Sequence, residues 1–171
     1  YNAQGRENHP GFRTYSVSGR VAQPGLVTTA AGATVTELID ACGGMADGHS
    51  FKGYLPGGAS GGILPADLAD IPLDFGGRLA ELGCFVGSHA IVVLSDKDNM
   101  WQAAINLLQF FAHESCGQCT PCRSGTEKAV RLMISDAPDT TLLGELASTM
   151  ADASICGLGQ AASNPLVSVM T

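Results

Sequence analysis

The stretch ESCGQCTPCRSG, residues 114–125, places Cys116, Cys119 and Cys122 at intervals of three positions. Thiols at this spacing can point into a common space only where the backbone coils tightly, and Gly117 permits such a coil. Three thiolates gathered in this way would enclose something small and positively charged. The stretch therefore predicts a metal centre in a tight loop and raises the question of a fourth ligand.

Cys156, in the stretch SICGLGQAASNP (residues 154–165), is the candidate for that fourth ligand. It falls where the third helix of the second half of the chain is expected to end. If the second and third helices form an antiparallel hairpin, Cys156 returns beside the loop that holds the other three thiols. Three closely spaced cysteines and one remote cysteine are typical of a [4Fe-4S] cluster, in which each thiolate binds one iron.

Structural zinc is the main alternative, because four thiolates also satisfy its tetrahedral preference. Zinc sites usually use two separated pairs of cysteines, so a triplet with a singleton favours iron and sulfide. Inert or disulfide-bonded cysteines are a third alternative, although nothing in the sequence indicates secretion. Two further cysteines have apolar neighbours: Cys42 lies on the apolar face of a short helix, and Cys84 precedes Phe85 and Val86. Both are predicted to be core residues.

Length and composition limit the possible partners. The 171 residues, 45% hydrophobic with 22 glycines, suffice for one ordinary domain or two small ones. The net charge of −7 and the absence of a basic cluster argue against nucleic acid. No apolar run reaches the roughly 20 residues that cross a bilayer, and no leader-like segment opens the sequence, so we expect a cytoplasmic protein without membrane insertion. Because Tyr1 opens the chain and the helix in NPLVSVMT stops after about two turns, we expect a piece of a longer polypeptide, truncated at its C-terminus.

The first half of the chain alternates short strands with one helix. Residues 1–14 lack periodicity and are predicted to be an irregular arm. The stretch TYSVSGRVAQPGLVTT, residues 14–29, turns at Pro-Gly and is typical of a β-hairpin. Thr34 and Glu37 then form a capping box, and FKGYL and AIVVL are further strands. These elements predict an α+β fold whose residues 15–97 form a small β-grasp (ubiquitin-like) domain.

The second half has helical periodicity. Apolar residues recur at helical spacing from Asn99, a second capping box at Ser124 and Glu127 predicts a helix start, and a third helix is expected to begin near Asp139 or Thr140. Residues 98–171 are therefore predicted to form an α-helical bundle that carries the iron-sulfur cluster.

Two stretches carry a resemblance to a known family. HESCGQCTPCRSGTEKA (residues 113–129) and SICGLGQAASNPL (residues 154–166) resemble the family of flavin-containing, NADH-oxidising subunits of Complex I. That family includes the matching subunits of NAD-reducing hydrogenases and of soluble NAD-dependent formate dehydrogenases. GYLPGGASGGILPADLADIPLDF (residues 53–75) and FFAHESCGQCTPCR (residues 110–123) are most similar to the formate dehydrogenase β subunit. The resemblance implies a soluble-ligand-binding β-grasp (SLBB) domain followed by a cluster domain, the C-terminal portion of such a subunit.

The resemblance also implies a function and a set of ligands. It implies that Cys116, Cys119, Cys122 and Cys156 bind a [4Fe-4S] cluster, which relays single electrons between a reduced flavin and further iron-sulfur centres. The implied oxidoreductase is formate dehydrogenase, with Complex I and an NAD-reducing hydrogenase as alternatives. The implied partners are a [2Fe-2S] thioredoxin-like subunit and a larger catalytic subunit.

FMN and NAD are implied for the full-length protein, but no residue of this chain is assigned to either, and no catalytic residue is predicted. The glycine-rich stretch PGGASGG (residues 56–62) lacks a following amphipathic helix, so it is interpreted as a tight loop rather than a phosphate site. A hypothesis of another class is a zinc-stabilised module whose β-grasp half binds a ligand or partner. Around the cysteines, Ser115, Gly117 and the loop amides are expected to donate hydrogen bonds to sulfur. Arg123 either offsets the negative charge of the cluster or is an ordinary surface arginine.

Overall fold

The computed structural model describes residues 4–170, which divide into two compact units between Asp98 and Asn99. The first unit contains the strands and the second contains five helices, in the order expected of the predicted α+β class. Each unit has its own core.

The start of the first unit corrects the prediction of an irregular arm. Within its described part, strand β1 (Gly5–Arg6) pairs antiparallel with strand β2 (His9–Pro10), and the next strand begins at Phe12. Asn8 turns the chain between β1 and β2 with φ 65°, a left-handed conformation that asparagine tolerates. Strands of two residues are too short to produce a periodic pattern, which is why the sequence did not reveal them. Residues 1–3 of the predicted arm lie outside the described residues.

A mixed five-stranded sheet follows. Its strands are β3 (Phe12–Gly19), β4 (Gly25–Ala30), β5 (Phe51–Leu55), β6 (Leu64–Pro65) and β7 (Ala90–Ser95), in the order β4-β3-β7-β5-β6. β3 and β4 form the predicted antiparallel hairpin, and β7 runs parallel to β3 and antiparallel to β5. With one helix packed on the sheet, this is the predicted β-grasp arrangement.

Helix α1 (Val35–Ala41) covers the sheet and has the predicted capping box. The Thr34 hydroxyl accepts a hydrogen bond from the Glu37 N–H, and the Glu37 carboxylate accepts one from the Thr34 N–H at 2.9 Å. The side chains of α1 and of the central strands share one core, which includes the fully buried Tyr15, Leu38 and Ile91. Cys42 and Cys84 also lie in this core, as predicted, and burial raises the pKa of each thiol.

The glycine-rich stretch packs against the protein's own backbone. A side chain at Gly57 would overlap the Val86 carbonyl, and one at Gly61 would approach the Phe85 carbonyl oxygen to 2.7 Å. These glycines serve a close approach between two loops and do not fit a phosphate cradle. The connection to β7 includes a short helix, α2 (Arg78–Glu81).

Arg13 on β3 links three polar and aromatic groups of the first unit. Its guanidinium donates to the Asp74 carboxylate at 3.2 Å, lies 3.4 Å from His89 Nε2 and stacks over the Phe75 ring. Asp74 also accepts from His9 at 2.6 Å. The residues joined in this way are far apart in sequence, so the cluster fastens loops to strand β3.

The second unit is a helical bundle of α3 (Met100–Glu114), α4 (Thr120–Ile134), α5 (Thr140–Ala153), α6 (Gly157–Ala161) and α7 (Asn164–Met170). Helix α4 packs against α3, α5 and α6, and buried Leu108, Met133, Leu143 and Met150 line the core. Trp101 Nε1 donates to the Met133 carbonyl at 3.0 Å, which ties α3 to the last turn of α4. Across residues 4–170, every helix is too short or too polar to traverse a lipid bilayer.

The start of α4 differs from the prediction of a helix that begins at Ser124. Cys119 is the N-cap, and the Arg123 N–H donates to the Cys119 carbonyl at 3.1 Å to close the first turn. Pro121 stabilises this earlier start, because its fixed φ suits the first turn and that turn needs no N–H from it. The start of α5 agrees with the prediction, since the Asp139 side chain caps the helix by accepting a hydrogen bond from the Leu142 N–H.

Candidate metal centre

The four cysteines of the predicted site lie in two loops of the second unit. Cys116 and Cys119 belong to the connection between α3 and α4, and Cys122 lies in the first turn of α4. Cys156 is the N-cap of α6, just as Cys119 is the N-cap of α4. Helix N-termini carry unpaired N–H groups and a partial positive charge, both of which favour thiolates.

A hydrogen bond joins the two loops. The backbone N–H of Ile155, the residue before Cys156, donates to the Cys119 sulfur, and this bond is the main reason why the pKa of the Cys119 thiol is lowered. The N–H of Cys122 donates to the same sulfur and lowers the pKa further. The segment that carries the remote cysteine is thus held against the triplet, and Cys119 is favoured as a thiolate.

The turn between Cys116 and Cys119 is fixed by three polar contacts. Gly117 has φ 77°, which a residue with a side chain adopts only with strain, and its N–H donates to the Ser115 hydroxyl at 3.3 Å. That hydroxyl also lies 3.3 Å from the Cys122 sulfur. Arg123 donates to the Gly117 carbonyl, so its guanidinium closes the turn from the side of α4.

Ser154 and Gly159 fill the space behind the two loops. Ser154 is buried, and its hydroxyl oxygen makes no hydrogen bond of good geometry within residues 4–170, although it lies close enough to lower the pKa of Cys119. A side chain at Gly159 would overlap the Ser154 hydroxyl and lie 2.8 Å from the Cys122 Cβ. Gly159 is therefore required by the close approach of α6 to the start of α4.

The four thiols differ in exposure. Cys122 is buried, Cys119 is half-buried, and Cys116 and Cys156 are exposed. None of the four is joined to another cysteine by a disulfide. Their role as ligands remains a prediction that their placement in two contacting loops supports.

The donor chemistry fits an iron-sulfur cluster. Soft thiolates are the ligands that iron-sulfur clusters and zinc select, and N–H groups directed at sulfur are the contacts that tune cluster potentials. Within the described part of the chain, no three His, Cys, Asp or Glu side chains form a group that could hold one metal ion. In a [4Fe-4S] cluster each thiolate binds its own iron, so the four sulfurs need not converge on a single point.

Sequence reasoning did not identify Ser154 or Gly159. Both lie in the motif around Cys156, Ser154 two positions before the cysteine and Gly159 three positions after it. A small residue this close to a ligand is a weak signal of tight packing. The unpaired hydroxyl of Ser154, in contrast, depends on the three-dimensional placement of its neighbours.

Comparison with known proteins finds a family match within each unit. Residues 102–171 match the family described as the NADH-ubiquinone oxidoreductase-F iron-sulfur binding region, and residues 14–64 match the SLBB domain. The second unit is therefore an iron-sulfur binding region of this type, whose cofactor is a [4Fe-4S] cluster, and the prediction of that cofactor is confirmed at this level.

Relatives of the chain include components of two kinds of oxidoreductase. It is 36% identical to the F subunit of NADH-quinone oxidoreductase from Streptomyces coelicolor over 98% of its own length, and 32% identical to the HndC subunit of the NADP-reducing hydrogenase from Solidesulfovibrio fructosivorans over 99%. A crystal structure of an NAD+-reducing [NiFe]-hydrogenase in the H2-reduced state superposes with a TM-score of 0.85 at 28% identity, covering 99% of this chain and 29% of that one. The chain spans 38% and 36% of the lengths of the two relatives. Over that part, it is similar to the F subunit of NADH-quinone oxidoreductase and to related hydrogenase subunits.

Proposed function

We propose that this chain relays single electrons through a [4Fe-4S] cluster held by Cys116, Cys119, Cys122 and Cys156, as part of an NAD-dependent oxidoreductase. The observation that carries the proposal is the Ile155 N–H on the Cys119 sulfur, because it holds the remote cysteine segment against the triplet. When bound, the cluster exchanges one electron at a time, which allows a two-electron hydride carrier to communicate with one-electron centres.

The chain's own residues prepare the site for this cofactor. The N-termini of α4 and α6 supply backbone N–H groups, and Arg123 adds a positive charge beside the turn at Gly117. Each of these contacts offsets negative charge on thiolates and sulfides. We assign residues 15–97 to an SLBB β-grasp domain and residues 98–171 to the cluster domain.

Among NAD-dependent oxidoreductases, we propose formate dehydrogenase as the parent complex. The support is the resemblance of residues 53–75 and 110–123 to its β subunit. Complex I and an NAD-reducing hydrogenase are the alternatives. The relatives include a subunit of an NADH-quinone oxidoreductase and one of an NADP-reducing hydrogenase, and the similar structures include an NAD+-reducing hydrogenase. In each case FMN and NAD would bind outside the residues described, and a [2Fe-2S] thioredoxin-like subunit and a larger catalytic subunit would be the partners. We place the complex in the cytoplasm, and the lack of a disulfide among the six cysteines supports this placement.

Metal analysis of anaerobically purified protein tests the cluster. We expect about four iron and four sulfide per chain, broad visible absorption and a paramagnetic signal on reduction. Cys156→Ser should lower the iron content and loosen the bundle, because ligation joins α6 to the start of α4. Cys42→Ser, in the core of the first unit, is the matched control and should retain full iron. Stoichiometric zinc without visible absorption would establish the zinc-stabilised module instead, and full iron in Cys156→Ser would contradict the ligand assignment.

The parent complex is tested in the assembly purified through a tag on this chain. Formate, H2 and NADH are each added anaerobically, and reduction of the cluster is followed by its paramagnetic signal. Reduction by formate, which yields CO2, a proton and two electrons, supports formate dehydrogenase. Reduction by H2 instead identifies a hydrogenase, and reduction by NADH alone favours Complex I.

A further inference from the structure

The structure leaves two buried side-chain polar atoms of the described residues without a hydrogen bond, Arg13 Nε and the Ser154 hydroxyl oxygen, and only Ser154 belongs to the buried polar residues. Three others are paired within their own unit: Ser95 bonds to Asp98, Thr126 donates to the Cys122 carbonyl at 2.8 Å, and Ser163 donates to the Ala147 carbonyl. Ser154 is only 5% exposed, yet its hydroxyl makes no hydrogen bond of good geometry within the described residues, and the sulfur of Cys119 is a nearby acceptor. Because buried hydroxyls are almost always paired, this one requires an explanation.

The backbone of Ser154 is already satisfied, so the hydroxyl is the group left over. The Ser154 N–H donates to the Met150 carbonyl at 3.2 Å, and its own carbonyl accepts from Gln160 Nε2 at 3.0 Å. A serine at the end of a helix often bonds back to the carbonyl four residues earlier, but this hydroxyl does not. Met150 and Gln160 therefore hold the backbone of Ser154 in place, and neither of them bonds to its hydroxyl.

The hydroxyl lies on the side of the two cysteine loops. It contacts the position that a Gly159 Cβ would occupy, and that position is 2.8 Å from the Cys122 Cβ. The Cys119 sulfur lies close enough to the Ser154 hydroxyl to receive a hydrogen bond from it, and this contact contributes to the lowered pKa of the Cys119 thiol. The Ser154 hydroxyl is therefore next to the proposed cluster site, whose sulfur atoms can accept hydrogen bonds.

We propose that Ser154 is a positioning residue whose hydroxyl donates a hydrogen bond to a sulfur atom of the cluster site. This hydrogen bond raises the reduction potential of the cluster, and the inference rests on the proposed function. Reduction adds negative charge to the cluster, and a donor directed at sulfur stabilises the reduced form more than the oxidised form. The same bond would satisfy the hydroxyl, which explains why a polar side chain occupies this buried position.

Redox titration of variants, monitored by the paramagnetic signal, tests the inference. Ser154→Ala should shift the one-electron equilibrium against reduction by about threefold to tenfold, or ~30–60 mV toward negative potential. Ser154→Thr keeps the hydroxyl and should restore the potential. Ser163→Ala removes a buried hydroxyl that is paired with Ala147, so it is the matched control and should leave the potential unchanged.

The outcomes separate this inference from the function on which it rests. Wild-type protein purified without iron would contradict the proposed function itself. Full iron with a wild-type potential in Ser154→Ala would overturn the inference alone. If Ser154→Ala cannot retain iron, Ser154→Gly decides in its place, since glycine removes the hydroxyl without filling the space. Loss of iron in both, with normal helix content, would show that Ser154 is only structural.

Discussion

Gly125 of α4 lies directly against the side chain of Met150 on α5, so that a Cβ at Gly125 would be 2.7 Å from Met150 Cγ and 2.9 Å from its sulfur. Such distances are shorter than van der Waals contact, and one of the two side chains would have to move. The approach brings α4 and α5 together just beyond the turn that carries Cys122. The close packing of α4 against α5 therefore requires glycine, the residue without a side chain, at position 125.

Replacing Gly125 by alanine is expected to destabilise the second unit by about 1 kcal/mol, because the cost of overpacking exceeds the gain in helix propensity. Gly144→Ala is the matched control: Gly144 lies in α5 with open space around it, and alanine should stabilise the helix by about 0.5–1 kcal/mol. Denaturant unfolding followed by Trp101, the single tryptophan, reports on this unit. Equal stabilisation by both substitutions would show that Met150 adapts without cost.

The Arg123 guanidinium holds the turn at Gly117, so its loss should weaken the retention of the cluster. We expect Arg123→Gln to release iron to a chelator about threefold to tenfold faster than wild type, at the low end of the effects of residues supporting metal ligands. Arg131→Gln is the control, since Arg131 lies on the same helix and pairs with exposed Glu127. Equal release rates in the two variants would identify Arg123 as an ordinary surface arginine.

Gly159→Ala should displace Ser154 and Cys122 together and lower the iron content of the purified protein. The overpacking is expected to cost about 1–3 kcal/mol in the unfolding free energy of the second unit. Gly157, two residues earlier in the same helix, has open space around it, so Gly157→Ala should retain full iron. The iron content and the unfolding free energy of the two variants are measured and compared. Full iron in Gly159→Ala would contradict the close packing of α6 against α4.

The stability of the first unit should decrease as the pH falls below neutrality because of His89. Burial, and then the nearby Arg13 guanidinium, lower the pKa of His89, against a smaller opposing effect of Asp74. With a folded pKa below its value of about 6.5 in the unfolded chain, His89 binds protons more readily when unfolded. The resulting loss begins as the pH falls through the unfolded pKa and is complete below the folded one.

His89→Asn should flatten this pH dependence, since asparagine does not titrate and tolerates the φ of 57° at this position. Unfolding between pH 8 and pH 5, followed by the tyrosine signal of buried Tyr15 and Tyr54, provides the measurement. His113→Asn, at an exposed position near the end of α3, should leave the slope unchanged. A slope that persists in His89→Asn would assign it to another group.

Local sequence signals predicted most of the elements in both units. The capping box at Thr34 and the cap at Asp139 were identified correctly, because each depends on residues three or four positions apart. Ser124 with Glu127 has the same pattern but lies inside α4, where the geometry at Cys119 and Pro121 starts the helix earlier. A short pattern can therefore mark a helix correctly and still misplace its start.

Contacts between residues far apart in the chain could not be predicted from the sequence. The bonds of Arg13 to groups 61 and 76 positions away follow from the order of the strands, which no local pattern encodes. The space behind the cysteine loops likewise depends on how α6 packs against α4. The four cysteines could be predicted from their spacing, whereas the unpaired hydroxyl of Ser154 required coordinates.

The unequal exposure of the four thiols has a consequence for handling the protein. Cys116 and Cys156 are exposed while Cys122 is buried, so dissolved oxidants would reach these two thiols before they reach Cys122. Accessible thiolates are the first to become sulfenic acid, and further oxidation to sulfinic acid is irreversible without a dedicated repair enzyme. Damage in air should accordingly begin at Cys116 and Cys156.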